Sequence, residues 1–175
     1  TDITSNILLG MRDLLQRQRY DLLLVHGDTT TSMAAALAAF YEKIPVGHVE
    51  AGLRTGNIYA PWPEEMNRRI VGRIATLHFA PTERSRQNLL AEGVADACIH
   101  VTGNTVIDAL QHVVEKLHNV PSMRDRFERQ FRFLDSGKRL ILVTGHRREN
   151  FGDVFERVCQ ALHRLSQRSD VEIVY

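Results

Sequence analysis

The sequence has few cysteines, almost no net charge and no long hydrophobic run, and each of these absences excludes a class of protein. Its 175 residues contain two cysteines, Cys98 and Cys159, which match neither a paired metal-ligand spacing nor a dense disulfide framework. Both lie in apolar settings, so we expect reduced, buried thiols. With 22 Lys and Arg against 21 Asp and Glu, the chain has no basic field that would favour nucleic acid or an anionic membrane surface. Any anionic ligand must therefore be bound by local groups.

Signals for export, for membrane insertion and for several cofactors are absent as well. There is no signal peptide and no apolar run near the roughly 20 residues of a membrane-spanning helix, which leads us to expect a cytoplasmic protein. The phosphate-binding G-x-x-x-x-G-K-[ST] loop, the dinucleotide-binding G-x-G-x-x-G turn and the G-x-S-x-G elbow of serine hydrolases do not occur. The glycine-containing turns also lack the residues that would complete a two-metal site.

Apolar runs rich in β-branched residues alternate with helix-like segments along the chain. We predict strands at 22–26, 46–50, 77–80, 98–102, 139–144 and 171–175. This alternation is typical of βαβ units, so the predicted fold class is α/β with parallel sheets. The segment 119–138 has no clear strand and is the expected boundary between two lobes. The helix-like start at 1–19 and the unfinished last strand indicate a piece of a longer protein.

Polar residues follow the predicted strands, at the edge where ligands bind in open α/β sheets. The first strand runs into Asp28, the second ends at Glu50, and the fourth is followed by Asn104. Taken alone, an aspartate such as Asp28 is more often a helix cap than a functional group. Glu50 is harder to explain structurally, because carboxylates are rarely placed in an apolar strand unless they are paired. His26 and His48 alternate with apolar neighbours and are expected to be structural.

Two charged segments begin predicted helices. In "PWPEEMNRR" a proline opens the helix, and Glu64 and Glu65 lie in the first turn, where anions complement the helix dipole. The alternative is a pair of surface salt bridges, from Glu64 to Arg68 and from Glu65 to Arg69. "GHRREN", residues 145–150, places a histidine and two arginines beside free backbone amides, which favours phosphate binding over a merely solvated helix start.

Five segments together resemble one known family. In chain order they are "VHGDTTTS", "PVGHVEAGLRTGNIYAPWPEEMNRR", "HFAPTERSRQNLL", "VTGNTVIDAL" and "ILVTGHRREN". They are similar to segments of the bacterial non-hydrolysing UDP-N-acetylglucosamine 2-epimerases, in the same order. The resemblance implies the GT-B architecture of two Rossmann-like lobes with parallel sheets, usually in a homodimer, with both lobes incomplete here. Residues 1–104 would form most of the N-terminal lobe without its first strands, and residues 105–175 the linker region and the start of the C-terminal lobe.

The resemblance also implies a reaction and the residues that perform it. The family interconverts UDP-N-acetylglucosamine and UDP-N-acetylmannosamine for cell-surface polysaccharides, by eliminating UDP to give 2-acetamidoglucal and adding it back, without a metal or a nicotinamide cofactor. Asp28, Glu50, Glu64 and His146 match the family's catalytic residues. Asp28, Glu50 and His146 also match substrate-binding positions, as does Arg147. Glu64 and Arg147 fall near the site at which substrate activates the bacterial members.

Several alternatives stay open at this point. The sequence does not decide which carboxylate removes the proton. A sugar-nucleotide-binding module without turnover is a second hypothesis, because the family's uridine-binding segments lie outside the chain. A hydrolysing epimerase, which releases UDP and free N-acetylmannosamine, shares the elimination step. A GT-B glycosyltransferase is disfavoured, since "PWPEEMNRR" and "GHRREN" follow the epimerase pattern.

Overall fold

Parallel strands joined by helices form the framework of the protein, in a computed structural model that describes residues 1–145 and 152–175. The chain divides into two units, Thr1–Ile107 and Asp108–Tyr175. None of the described helices is both long and apolar enough to cross a membrane. The elements in chain order are α1 (Asp2–Leu15), β1 (Leu23–His26), α2 (Thr30–Tyr41), β2 (Val46–Val49), α3 (Glu64–Ile74), β3 (Leu77–Ala80), α4 (Glu83–Ala91), a short 3-10 helix (Asp96–Cys98), β4 (Ile99–Val101), α5 (Thr105–Asn119), α6 (Pro121–Gln130), β5 (Arg139–Leu142), α7 (Asp153–Ser166) and β6 (Val171–Val174).

The six predicted strands are all present, and the α/β class with parallel sheets is confirmed. Their ends differ from the prediction by two residues at most, so that Glu50 lies directly after β2 rather than within it. Helix α6 occupies part of the segment 119–138, for which the sequence pattern predicted no strand. Pro121 is its first residue, a position where the missing backbone N–H of proline has no helical acceptor to lose.

The first unit has a four-stranded sheet in the order β1-β2-β3-β4, with every neighbouring pair parallel. His26 is in register with Val49, Val49 with Phe79, and Ala80 with Val101. Because all four strands run in one direction, their carboxyl ends meet at one edge of the sheet. The residues that follow each strand therefore start from the same edge.

Alanine-rich helix α2 lies in the main core of the first unit. Ala34, Ala36 and Ala39 are completely buried, and α2 contacts α1, α3 and β1. Side chains this small let neighbouring helices and strands approach closely, while alanine also favours the helical state. Val46 and Val71 complete this core from β2 and α3.

The second unit contains the parallel pair β5 and β6, with Arg139 in register with Val171. The Tyr175 hydroxyl donates a 3.1 Å hydrogen bond to the Gly145 carbonyl. The expectation of buried thiols is wrong for Cys159, which is exposed on α7, and Cys98 of the first unit is half-buried. Two strands offer little surface against which α7 can pack within the described residues.

Candidate functional site

The carboxyl edge of the first sheet brings together polar residues that the sequence singled out. Asp28 follows β1 by two residues, Glu50 follows β2 directly, and Asn104 immediately precedes α5. Gly27 lies against Glu50, because a Cβ built at Gly27 would be 3.5 Å from Oε2 of Glu50. Its φ of +69° is one that residues with side chains rarely adopt. Asp28 and Glu50 thus start from adjacent strand ends.

Glu50 has a strained backbone, and its side-chain partners are an amide and an imidazole. Its φ is +65°, and a residue other than glycine held in this region costs about 1 to 3 kcal/mol, a type of strain that clusters at functional sites. Asn104 Nδ2 donates a 3.1 Å hydrogen bond to Oε1, and His26 Nε2 lies 3.7 Å from Oε2. Within the described residues, no lysine or arginine forms an ion pair with Glu50. Its side chain is 26% exposed, so the carboxylate remains open to a ligand.

Asp28 has very different surroundings. Arg68 Nη2 donates to Oδ2 of Asp28 at 2.5 Å, and Asn67 Nδ2 donates to the Asp28 backbone carbonyl at 2.9 Å. The cap of helix α2 is instead Thr29, whose hydroxyl accepts a hydrogen bond from the Ser32 backbone N–H. The interpretation of Asp28 as a helix cap is therefore wrong, and its carboxylate faces a permanently charged guanidinium.

The first turn of α3 contains a buried carboxylate. Glu65 is completely buried and accepts hydrogen bonds of 3.1 Å from the Thr55 backbone N–H and from Arg69 Nε, while Arg68 Nη1 lies 3.5 Å away. Burial alone raises the pKa of Glu65, but these hydrogen bonds and the two arginine charges outweigh it and hold the pKa below its usual value. Glu65 is therefore ionised at neutral pH.

Only one of the two predicted surface salt bridges forms. The Glu65–Arg69 pair is present, although Glu65 is buried rather than on the surface. The Glu64–Arg68 pair does not form, because Arg68 faces Asp28 and Glu65 instead. Glu64 is half-buried and has neither a hydrogen bond nor an ion pair within the described residues, which leaves its carboxylate available.

His48 is a structural residue of the central strand β2, as expected. It is 1% exposed, and its Nε2 lies 2.9 Å from the Gly27 carbonyl. A carbonyl can only accept, so Nε2 must carry the proton. Burial lowers the pKa of His48 to about 4, although the hydrogen bond to Gly27 acts in the opposite direction. The same expectation is wrong for His26, whose half-exposed side chain faces Glu50.

Arg54 and Gly52, in the segment "EAGLR" after Glu50, have structural roles. The Arg54 side chain is 8% exposed, and its guanidinium donates 2.7 and 2.8 Å hydrogen bonds to the two carboxylate oxygens of Glu92. Gly52 has a φ of +86°, and a Cβ built there would overlap the Ser85 carbonyl at the start of α4. This segment therefore joins β2 to α4, and Glu50 is its one candidate functional residue.

Two of the predicted phosphate-binding residues, His146 and Arg147, lie outside the described residues. Within the described ranges, no three His, Cys, Asp or Glu side chains are grouped so that they could hold a metal ion. The contacts of Asn67 and Arg68 with Asp28 were not predicted from the sequence. A signal existed for Arg68, because it lies three residues before the fully buried Val71 and so shares the core-facing stripe of α3.

Comparison with known proteins decides the family. The family model described as UDP-N-acetylglucosamine 2-epimerase matches residues 1–175, the whole chain. The chain belongs to this family. The UDP-N-acetylglucosamine 2-epimerase of Yersinia pestis is 55% identical over 176 residues, which cover 100% of this chain and 47% of the relative. The enzyme of Escherichia coli (strain K12) is 54% identical over 176 residues, with the same two coverages.

An epimerase of known structure has the same fold. The crystal structure of UDP-GlcNAc 2-epimerase from Neisseria meningitidis bound to UDP-GlcNAc is 46% identical and superposes with a TM-score of 0.92. The match covers 98% of this chain and 47% of that structure. The chain therefore spans about half the length of the curated relatives it matches, and it has the parallel α/β fold of the GT-B-like epimerases over that half.

Proposed function

We propose that the protein containing this chain interconverts UDP-N-acetylglucosamine and UDP-N-acetylmannosamine, supplying the latter for cell-surface polysaccharides. The observation that carries the proposal is the match of all 175 residues to the epimerase family. The neighbouring positions of Asp28 and Glu50 at one sheet edge support it. The Neisseria meningitidis relative is bound to UDP-GlcNAc, which supports the same class of substrate.

The proposed chemistry follows from the weak acidity of the reacting hydrogen. The hydrogen on the second sugar carbon has no adjacent carbonyl, so its direct removal at neutral pH is too slow. In the elimination, a base takes this proton, the C–H electron pair forms the C1–C2 double bond, and the C1–O bond breaks to release UDP. UDP then adds back to the resulting 2-acetamidoglucal, and a proton is delivered to the opposite face of the second carbon. The cycle needs a base, an acid and groups that bind the departing diphosphate.

In this proposal the carboxylates provide the acid and the base. Asp28, Glu50 and Glu64 are the proposed catalytic carboxylates, and His146 and Arg147 bind the UDP phosphates. Glu64 and Arg147 also contribute to regulation by bound substrate. A fixed positive charge faces Asp28, whereas a neutral amide and an imidazole face Glu50. This difference allows the two groups to have different proton-transfer roles.

Deuterium exchange is the direct test. The full-length gene product is incubated with UDP-N-acetylglucosamine in deuterated water, beside the 175-residue chain and the Yersinia pestis enzyme as a positive control. Incorporation of deuterium at the second carbon with the UDP-sugar retained supports the proposal. Release of free N-acetylmannosamine would assign the hydrolysing reaction instead. Neither exchange nor release, under conditions in which the control exchanges, would overturn the proposal.

A sugar-nucleotide-binding module is the second candidate, favoured by the coverage of about half of each relative. It predicts that UDP-N-acetylglucosamine binds in a calorimeter without any exchange of the sugar hydrogen. The expected homodimer and the cytoplasmic location stay predictions, the first of which is tested by light scattering during size-exclusion chromatography.

A further inference from the structure

Two consecutive residues of helix α3 hold both the main chain and the side chain of Asp28. Asn67 donates to the Asp28 carbonyl, and Arg68 donates to the Asp28 carboxylate. Asn67 is 5% exposed and Arg68 is 9% exposed. Side chains packed this closely have few alternative rotamers, so their contacts fix the orientation of the group that they hold.

The guanidinium of Arg68 also contacts a second carboxylate, that of Glu65. Its Nη1 lies 3.5 Å from the buried carboxylate of Glu65, which the Thr55 backbone N–H and Arg69 also hold. Its Nε has no hydrogen-bond partner within the described residues, so two carboxylates orient the guanidinium. A planar guanidinium reaches both carboxylates with separate nitrogens, which the single ammonium of a lysine cannot reproduce. Hydrogen bonds and ion pairs thus connect the Thr55 backbone to Glu65, Glu65 to Arg68, and Arg68 to Asp28.

We propose that Asn67 and Arg68 are positioning residues that orient the Asp28 carboxylate for proton transfer at the second carbon of the sugar. The inference rests on the proposed function. Orientation matters because a displacement of about 1 Å in a reacting group costs about 100-fold in rate. The two residues act through Asp28 rather than on the substrate, so their loss lowers kcat and leaves KM nearly unchanged.

The test is steady-state kinetics of the full-length gene product carrying Arg68→Met, Arg68→Lys or Asn67→Leu. Arg54→Met is the matched control, because the Arg54 side chain is about as little exposed as that of Arg68 and pairs with Glu92 rather than Asp28. We expect Arg68→Met to lower kcat about 100-fold and Asn67→Leu about tenfold, each with KM within about threefold of the wild type. Arg68→Lys recovers part of the loss because it restores the charge. Arg54→Met lowers the thermal midpoint but keeps kcat within about threefold.

Three results would overturn the inference. The first is a kcat for Arg68→Met within about threefold of the wild type, and the second is an equal loss of kcat in Arg54→Met. The third is a change in KM with an unchanged kcat in Arg68→Met and Asn67→Leu. Should Arg68→Met fail to fold, Arg68→Lys and Asn67→Leu decide by the same criteria. A wild-type protein without deuterium exchange would overturn the proposed function, and this inference with it, whereas an active wild type with an unaffected Arg68→Met overturns the inference alone.

Discussion

The side-chain amide of Asn104 joins the start of helix α5 to Glu50. Its Nδ2 donates a 3.1 Å hydrogen bond to Oε1 of Glu50, and its Oδ1 accepts a 2.9 Å hydrogen bond from the Val106 backbone N–H. One residue therefore caps a helix and orients a carboxylate at the end of β2. The two contacts use different atoms of the amide, so two substitutions can separate them.

Asn104→Ala removes both contacts and is expected to lower the free energy of unfolding by about 2 kcal/mol, about half from the lost cap and half from the lost hydrogen bond. Asn104→Asp keeps an oxygen acceptor for the Val106 N–H but places a second carboxylate against Glu50. We expect this variant to regain stability relative to Asn104→Ala as the pH falls, because a proton taken up between two adjacent carboxylates removes their repulsion, and to lose that advantage at neutral pH. Urea unfolding of both variants at pH 4 and pH 7 measures the difference. Equal pH dependence of the two variants would contradict the assigned contact with Glu50.

Replacing Asp28 or Glu50, two of the three proposed catalytic carboxylates, by its amide tests the reaction itself. Asp28→Asn and Glu50→Gln are nearly isosteric with the wild-type residues, so we expect a folded protein with deuterium exchange reduced at least about 100-fold. Glu92→Gln is the control. Glu92 also forms an ion pair with an arginine, Arg54, but it is not one of the proposed catalytic carboxylates. Circular dichroism checks the fold, and mass spectrometry of the UDP-sugar measures exchange. Undiminished exchange in Asp28→Asn or Glu50→Gln removes that residue from the proposed mechanism.

Gly52→Ala is expected to be strongly destabilising. The backbone φ of +86° strains any side chain, and the new Cβ would overlap the Ser85 carbonyl, a backbone atom that cannot move aside cheaply. We expect a loss of about 3 kcal/mol or more in the free energy of unfolding. Gly56→Ala is the control, because Gly56 has a similar φ of +80° but open space around it. We expect this variant to lose only about 1 kcal/mol in the free energy of unfolding. Urea denaturation compares the two, and equal losses would show that crowding at Ser85 is not the cause.

The buried His48 predicts a loss of stability in mild acid. Its pKa is about 4 in the folded protein against 6.5 for an ordinary histidine, because burial disfavours the charged form. The unfolded chain therefore takes up the proton first as the pH falls. Stability that is fully present above pH 6.5 is lost between pH 6.5 and pH 4, by about 3 kcal/mol over that interval.

His48→Gln isolates this effect. The glutamine amide can still donate a hydrogen bond to the Gly27 carbonyl, but it does not titrate. Urea unfolding between pH 7 and pH 4 is expected to give a flatter pH dependence for His48→Gln than for the wild type. His78 is also buried with a lowered pKa, so a residual slope persists in both proteins. Parallel curves for the two proteins would contradict the assignment to His48.

The six strands were predictable from the sequence because their signals are local. A β-branched apolar run, an alanine-rich segment or a hydroxyl residue at a helix start acts within a few residues of itself. The sequence pattern did not predict helix α6, because only Met123 and Phe127 mark an apolar side in its otherwise polar sequence. The family match also follows from the sequence, since it depends on the order of residues along the chain.

The partners of the candidate functional residues were decided by tertiary structure. Arg68 pairs with Asp28 across 40 residues of sequence, and Asn104 reaches Glu50 across 54. The helical i to i+4 rule compares only nearby positions, so it predicted an ion pair between Glu64 and Arg68. In the folded protein Arg68 pairs with Asp28 instead. The sequence alone determined which acidic residues stand at the strand ends, because strand periodicity is local. Only the tertiary positions of α3 and of the Asn104 side chain decided which of them faces a fixed positive charge and which faces a neutral amide, because these contacts join residues far apart in sequence that no local pattern connects.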